Sequence, residues 1–184
     1  MAQAPATTLK EKRVVLSAAE LQRTIERLAQ AIVEPNGASA NLVLIGIRAG
    51  GENLTRRIHA QIKERTGVSV PVGFLNITIY RDDDAARDMP DSDISVDVSG
   101  KEVVIVDDVL FTGRTIRSAL DAITDLGRPK VARLCVLIDR GLRELPIAAD
   151  YIGRMVPTAR DEHVEVELGR EAGPTDRVVI YGRT

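Results

Sequence analysis

The sequence predicts an α/β protein in which a mostly parallel sheet is flanked by helices. Three observations carry this. Residues 42–47, 103–106 and 131–138 are runs of largely branched apolar residues, the pattern of strands buried on both faces. Between them lie stretches with apolar residues at three- and four-residue spacing, which read as helices. The first two runs also end in polar or glycine-rich loops that open such a stretch. Open α/β sheets bind ligands at the carboxyl ends of their strands in this arrangement.

Composition sets the limits. The 184 residues suffice for one domain with a sizeable core, and 44% hydrophobic with 28% charged residues is ordinary for a globular chain. A net charge of −2 argues against a broadly basic nucleic-acid binder and leaves room for a local patch. No apolar run is long enough to span a membrane, so no membrane partner is expected. Residues 1–12 lack the apolar centre of a signal peptide. The single cysteine, Cys135, sits in the apolar run 134–138 and reads as a buried structural thiol. With no intrachain disulfide available, a cytoplasmic location is expected. Two histidines, His59 and His163, are too few for a structural zinc site.

Taken in order, residues 1–12 are polar and are expected to be a disordered tail, with a single domain over residues 13–184. Ser17-Ala-Ala-Glu20 is a capping box that opens a helix with the apolar stripe Leu21, Ile25, Leu28 and Ile32. Pro35, Asn36 and Gly37 close it. Arg23, Glu26, Arg27 and Gln30 share another face, which reads by itself as solvated surface. The strand at 42–47 runs through Arg48, Ala49, Gly50 and Gly51 into a helix bearing Leu54, Ile58 and Ile62, with Gly67 placed to cap its end. Residues 70–80 form a strand region interrupted by Pro71 and Gly73. The polar segment that follows, to about Ser99, is either a lid or an acidic disordered insertion.

The chemistry concentrates after the strand at 103–106. Asp107 and Asp108 stand at its end. Val109, Leu110 and Phe111 lead into Thr112-Gly113-Arg114-Thr115, which opens a helix with Ile116, Ala119, Leu120 and Ile123. A glycine- and hydroxyl-rich loop at a helix N-terminus offers backbone N–H groups and a positive dipole end to a phosphate. Adjacent carboxylates can accept hydrogen bonds from sugar hydroxyls, or hold a cation. The stretch therefore reads as a site for a phosphorylated sugar. Gly127, Arg128 and Pro129 end the helix. The strand at 131–138 then ends at Asp139-Arg140-Gly141, a second polar terminus on the same sheet edge. Residues 164–168 and 177–181 alternate as a terminal hairpin around Gly173 and Pro174.

Residues 103–115 resemble the 5-phosphoribosyl-1-diphosphate (PRPP) signature of the type I phosphoribosyltransferases. Further matches in order narrow the resemblance: Thr78-Ile-Tyr-Arg-Asp-Asp83, Leu126-Gly-Arg-Pro129, Asp139-Arg-Gly-Leu-Arg-Glu-Leu-Pro146, Ala149-Asp-Tyr-Ile-Gly153 and Val156-Pro-Thr158. Together they are similar to the PyrR family of bifunctional pyrimidine operon regulators and uracil phosphoribosyltransferases. The resemblance implies the type I phosphoribosyltransferase fold, with a small hood and a C-terminal hairpin. It implies conversion of uracil and PRPP to UMP and diphosphate with Mg²⁺. It also implies attenuation of pyrimidine gene expression, through uridine-nucleotide-promoted binding (UMP or UTP) to the pyrimidine operon leader mRNA, and a homodimer or higher homo-oligomer.

By the same resemblance, Asp107 and Asp108 contact the ribose hydroxyls. Val109, Leu110, Phe111, Thr112, Gly113, Arg114 and Thr115 carry PRPP, with the last four cradling its 5-phosphate. Arg48, Ala49, Gly50 and Gly51 form the pyrophosphate loop, and Arg81 also serves the pyrophosphate. Ile138, Asp139 and Arg140 receive uracil, and Arg23, Arg27, Arg140 and Arg143 face RNA. No metal ligand set is assigned to the protein beyond Asp107 and Asp108, the ion arriving with PRPP. Two departures stand out. Ala49 and Gly50 replace the family's usual Thr and Arg, while Leu142 and Ala148 replace its usual His and Arg. Three readings stay open: an active uracil enzyme, an RNA-binding regulator with weak or no catalysis, and a PRPP enzyme acting on another base.

Overall fold

A computed structural model describes residues 9–77 and 92–183, the side chain of residue 183 excepted. The whole Thr78–Asp83 motif, Arg81 included, lies outside the described residues. The elements run β1 (Leu9–Leu16), α1 (Ala18–Asn36), β2 (Leu42–Ile47), α2 (Gly51–Thr66), β3 (Val72–Leu75), β4 (Glu102–Leu110), α3 (Arg114–Leu126), β5 (Val131–Asp139), β6 (Tyr151–Met155), β7 (His163–Glu167) and β8 (Arg177–Arg183). Five strands form a parallel sheet in the order β3-β2-β4-β5-β6. A second, antiparallel sheet has the order β1-β8-β7.

Alternation along the central strands explains the layers. Leu42, Leu44, Val104, Val106, Cys135 and Leu137 point to one face, where they pack with Leu21, Ile25 and Leu28 of α1 and Leu54 and Ile58 of α2. Their neighbours Val43, Ile45, Val103, Ile105, Leu134 and Val136 point to the other face, against Ile116, Ala119 and Ile123 of α3. A strand covered on both faces has no polar alternation to show, and β2 is buried at every position. Cys135 is fully buried and its thiol is pushed up to about 12 by that burial, so it is an inert core residue.

Helix ends follow local chemistry. The Glu20 carboxylate accepts from the Ser17 N–H at 2.9 Å and the Ser17 hydroxyl at 2.7 Å. Gly67, at φ 73°, closes α2 in the left-handed region, and its N–H donates to the Lys63 carbonyl.

Two strands had no sequence signal. β1 begins at Leu9, so residues 9–12 of the expected tail are strand, and residues 1–8 lie outside the described residues. Residues 9–14 are exposed and show no buried stripe, because β1 is held by pairing to β8 rather than by burial of a face. β6 carries Gly153, a residue that weakens strand patterning, at a position where a Cβ would stand 2.3 Å from the Leu137 carbonyl oxygen. The described part of the polar segment after β3, residues 92–99, is anchored to the fold. Asp93 exchanges two 2.8 Å backbone hydrogen bonds with Phe74, and Val98 is fully buried.

The strand order creates the site's location. The chain moves from β2 outward to β3, then returns past β2 to β4 and continues the other way. The sheet's switch point therefore lies between β2 and β4, and the loops leaving those two strands flank one crevice.

Candidate active site at the sheet's switch point

β4 carries Asp107 and Asp108 to the crevice. Asp107 is buried and Asp108 half-buried. The Asp107 carboxylate accepts the Asp108 N–H at 3.0 Å, and the Asp108 carboxylate accepts the Val109 N–H at 2.7 Å. Burial pushes the Asp108 carboxyl above the ordinary aspartate range, outweighing the Val109 N–H that favours its charged form.

The β2 loop closes against this pair. A Cβ at Gly50 would stand 2.2 Å from an Asp108 carboxylate oxygen, and one at Gly51 would stand 2.2 Å from the Val106 carbonyl oxygen. Gly50 itself has ordinary helical angles (φ −78°, ψ −47°), so it is close approach that calls for glycine there. The neighbouring Ala49 is held at φ 74°, a left-handed angle that costs a non-glycine residue about 1 kcal/mol or more. Arg48, beside that loop position, is engaged by α2 and β3. Its guanidinium pairs with Glu52 at 3.0 Å and lies 5.8 Å from the Phe74 ring centroid, while Glu52 also holds Arg56.

The β4 loop forms the other wall. Gly113, at φ 93°, is the N-cap of α3, an angle suited to glycine. The Phe111 carbonyl accepts from Arg143 at 3.0 Å, and the Thr112 carbonyl accepts from the backbone N–H groups of Glu144 at 2.9 Å and Leu145 at 3.2 Å. Thr115 is half-buried in the first turn of α3. Arg114 is 71% exposed and pairs with Glu144, which also holds Arg160. The side chain of Arg114 thus faces solvent, and the loop's offer to a phosphate consists of backbone N–H groups and threonine hydroxyls.

The β5 terminus lies beside it. Ile138 and Asp139 are buried at the end of the strand. The Asp139 carboxylate accepts the Gly141 N–H at 2.9 Å and pairs with Arg143 at 2.5 Å. The expected RNA role of Arg140 meets a different environment. Arg140 is buried, stacks 4.1 Å from the Phe111 ring centroid, and donates to the Thr158 hydroxyl and to the Ala159 and Glu162 carbonyls at 2.7–2.9 Å. Those bonds hold the residues after β6 against the site, and they give the Val156-Pro-Thr158 motif a structural partner. Arg143 is likewise engaged at Nε, Nη1 and Nη2, with four acceptors. Arg23 and Arg27 remain exposed on α1, with Arg27 donating to the Ile152 and Gly153 carbonyls of β6. Of the four arginines expected at RNA, Arg140 is therefore buried and Arg143 half-buried, each with its guanidinium engaged by other parts of the protein.

Sequence reasoning did not find the N–H groups of Glu144 and Leu145, which orient the loop at Thr112. Backbone groups carry no residue-type signal.

Comparison with known proteins agrees with this geometry. Residues 15–168 match the phosphoribosyl transferase domain family. The bifunctional protein PyrR of Chloroflexus aurantiacus is 51% identical over 173 residues, covering 92% of this chain and 94% of that protein. The protein of the same name from Enterococcus faecalis is 45% identical over 172 residues, covering 92% and 96%. Among solved structures, the hypoxanthine phosphoribosyltransferase of Trypanosoma cruzi shares the fold at a TM-score of 0.71 and 21% identity, covering 95% of this chain and 98% of that one. On these matches the chain belongs to the phosphoribosyl transferase domain family, and within it to the PyrR group.

Proposed function

We infer that this protein is a uracil phosphoribosyltransferase, converting uracil and PRPP to UMP and diphosphate, and a uridine-nucleotide-dependent regulator of pyrimidine gene expression. One observation carries the catalytic half: the contact of Asp108 with Gly50. It joins the acidic pair of β4 to the β2 loop at the switch point, with the β4 phosphate loop alongside. Family membership supplies the rest.

In this reading the 5-phosphate rests on the loop at Thr112, Gly113, Arg114 and Thr115, at the positive end of α3. Asp107 and Asp108 accept hydrogen bonds from the ribose hydroxyls. As diphosphate leaves C1, positive charge develops on the ribose ring, and two nearby carboxylates stabilise it. The β2 loop offers its backbone to the diphosphate. Uracil, flat and neutral, lies by Ile138, Asp139 and Arg140, where backbone groups read its edge.

The donor set suits an ion that arrives with its substrate. Among the described residues no group of three or more His, Cys, Asp or Glu side chains could cage a metal. Two carboxylates plus substrate phosphate oxygens and waters match the usual coordination of Mg²⁺. The chemistry a bound Mg²⁺ supplies is neutralisation of charge on the departing diphosphate.

The deciding experiment is turnover of uracil with PRPP and Mg²⁺, against hypoxanthine and orotate. Formation of UMP at a kcat/KM well above that for either other base is expected. Preference for another base overturns the substrate assignment. Exposure of Arg23 and Arg27 on α1 favours keeping the RNA-binding regulator alongside the enzyme, with pyrimidine operon leader mRNA as partner and UMP or UTP as co-regulator.

A further inference from the structure

We propose that Arg143 is a positioning residue for the phosphate-binding loop, setting the direction of the N–H groups that receive the 5-phosphate of PRPP. The proposal rests on the transferase reading for the identity of the ligand and on the geometry for everything else.

The Arg143 guanidinium donates through Nε to the Ile147 carbonyl at 3.0 Å. Through Nη1 it donates to the Phe111 and Gly141 carbonyls, each at 3.0 Å, and through Nη2 to the Asp139 carboxylate at 2.5 Å. These acceptors come from three separate places: the end of β5 and its loop, the phosphate loop, and the segment that follows. Ile147 in turn packs on the phosphate loop, its side chain 3.4 Å from where a Cβ of Gly113 would stand. A planar, five-donor fork can bridge so many acceptors; an ammonium cannot.

Peptide planarity turns this bridge into a directional device. In a trans peptide unit the C=O and the following N–H point in opposite directions. The chain has no cis peptide among its described residues. The Phe111 carbonyl points to Arg143, so the Thr112 N–H points away from it. The Thr112 carbonyl points to the N–H groups of Glu144 and Leu145, so the Gly113 N–H also points away from that segment. Arg143 thus acts twice, through its own bond and by fixing the backbone of the two residues that follow it.

The segment needs such fixing. Gly141 and Leu142 are consecutive left-handed residues, at φ 74° and φ 59°. Leu142 is more than one-third exposed, so burial of its side chain does little to offset the cost of that angle. The hydrogen bonds on either side, from Gly141 N–H to Asp139 and from Arg143 to four acceptors, hold the turn.

The test compares Arg143→Lys and Arg143→Gln with the wild type. PRPP affinity is measured by calorimetry, steady-state kinetics with uracil and PRPP give KM and kcat, and thermal unfolding monitors the fold. Charge-assisted hydrogen bonds of this kind are worth roughly ten- to a hundredfold in an equilibrium. The expected result is a weakening of PRPP binding by about that factor in Arg143→Gln, a matching rise in KM for PRPP, and a smaller change in kcat. Arg143→Lys, which keeps a cation beside Asp139, falls between. Unchanged PRPP affinity in both variants overturns the proposal, even if the thermal midpoint drops, and so does a loss confined to kcat. The calorimetric affinities decide the matter whether or not the wild type turns over uracil, so this proposal and the transferase reading fail separately.

Discussion

Gly50 shows how a single residue can be read one way from sequence and another from its surroundings. A missing arginine in a pyrophosphate loop suggests that Gly50→Arg restores a bidentate diphosphate contact. The structure argues against a simple restoration, because the Asp108 carboxylate occupies the space of the new Cβ. Gly50→Arg is expected to displace Asp108 and lower turnover with PRPP, although the added guanidinium attracts diphosphate. Steady-state kinetics check this, and a gain in kcat/KM for PRPP would show that the loop and the acidic pair separate freely. Asp108 itself carries the second prediction. Burial raises its folded pKa above the unfolded aspartate value of about 3.9. The folded state then binds more protons within that window, so the group's contribution to stability falls as pH rises from about 4 through the raised value. Asp108→Asn removes that penalty. Its thermal midpoint at pH 7 should match or exceed that of the wild type, while kcat/KM drops on the order of a hundredfold. A large loss of stability with turnover intact reverses the assignment. The positions and types of the acidic pair and the Thr-Gly-Arg-Thr loop were legible in the sequence, because strand end, carboxylates and helix start are local signals. The engagement of Arg140 and Arg143 was not. An arginine on a polar loop looks the same whether it faces solvent or four acceptors.

At the scale of elements, β2, β4, β5 and the described helices follow from periodicity, since each buries a stripe or both faces. What ties the two sheets together does not. Arg57 of α2 and Asp176, just before β8, form a buried ion pair at 2.5 Å, and Arg57 also donates to Gln22 of α1. Asp176 accepts the Gly169 and Gly173 N–H groups at 3.0 and 3.1 Å, which organises the turn of the β7–β8 hairpin. Burial alone would raise the Asp176 pKa. The two backbone donors and Arg57 overcome this and hold it below the usual value. Arg57→Met strands a buried carboxylate, and a loss of about 3 kcal/mol is expected in denaturant unfolding. The stabilisation from Asp176 is complete above the unfolded pKa of about 3.9 and disappears as pH falls through the lower folded value. The wild type should therefore lose stability below about pH 4 more steeply than the variant. Parallel pH profiles would remove this pair from the account. The partners are separated by 119 positions in sequence, and no local pattern announces such a contact.

Over the whole molecule, Arg23 and Arg27 are the exposed members of the four arginines expected at RNA. The net charge of −2 supplies no general attraction to a polyanion, so binding must come from a patch. Arg140 and Arg143 are held by internal acceptors, and withdrawing either to meet a phosphate would break several hydrogen bonds around the loops that leave β4, β5 and β6. Arg23 and Arg27 lie exposed one helical turn apart on α1, and Arg27 also joins α1 to the carbonyls of β6. The two therefore differ in what their loss should do. Arg23→Ala removes a charge and little else: affinity for the pyrimidine operon leader should fall, and the slope of log affinity against log salt should shrink by about 0.7–0.9. Arg27→Ala should lower affinity and also stability, since it frees two β6 carbonyls to seek other donors. Titration of leader RNA at several salt concentrations, with and without UMP, separates these effects. Tighter binding in UMP, sensitive to Arg23, supports regulation through the α1 face. If leader and unrelated hairpin bind alike, and Arg23→Ala changes neither affinity nor slope, α1 is ordinary solvated surface and the catalytic activity stands without the regulatory one.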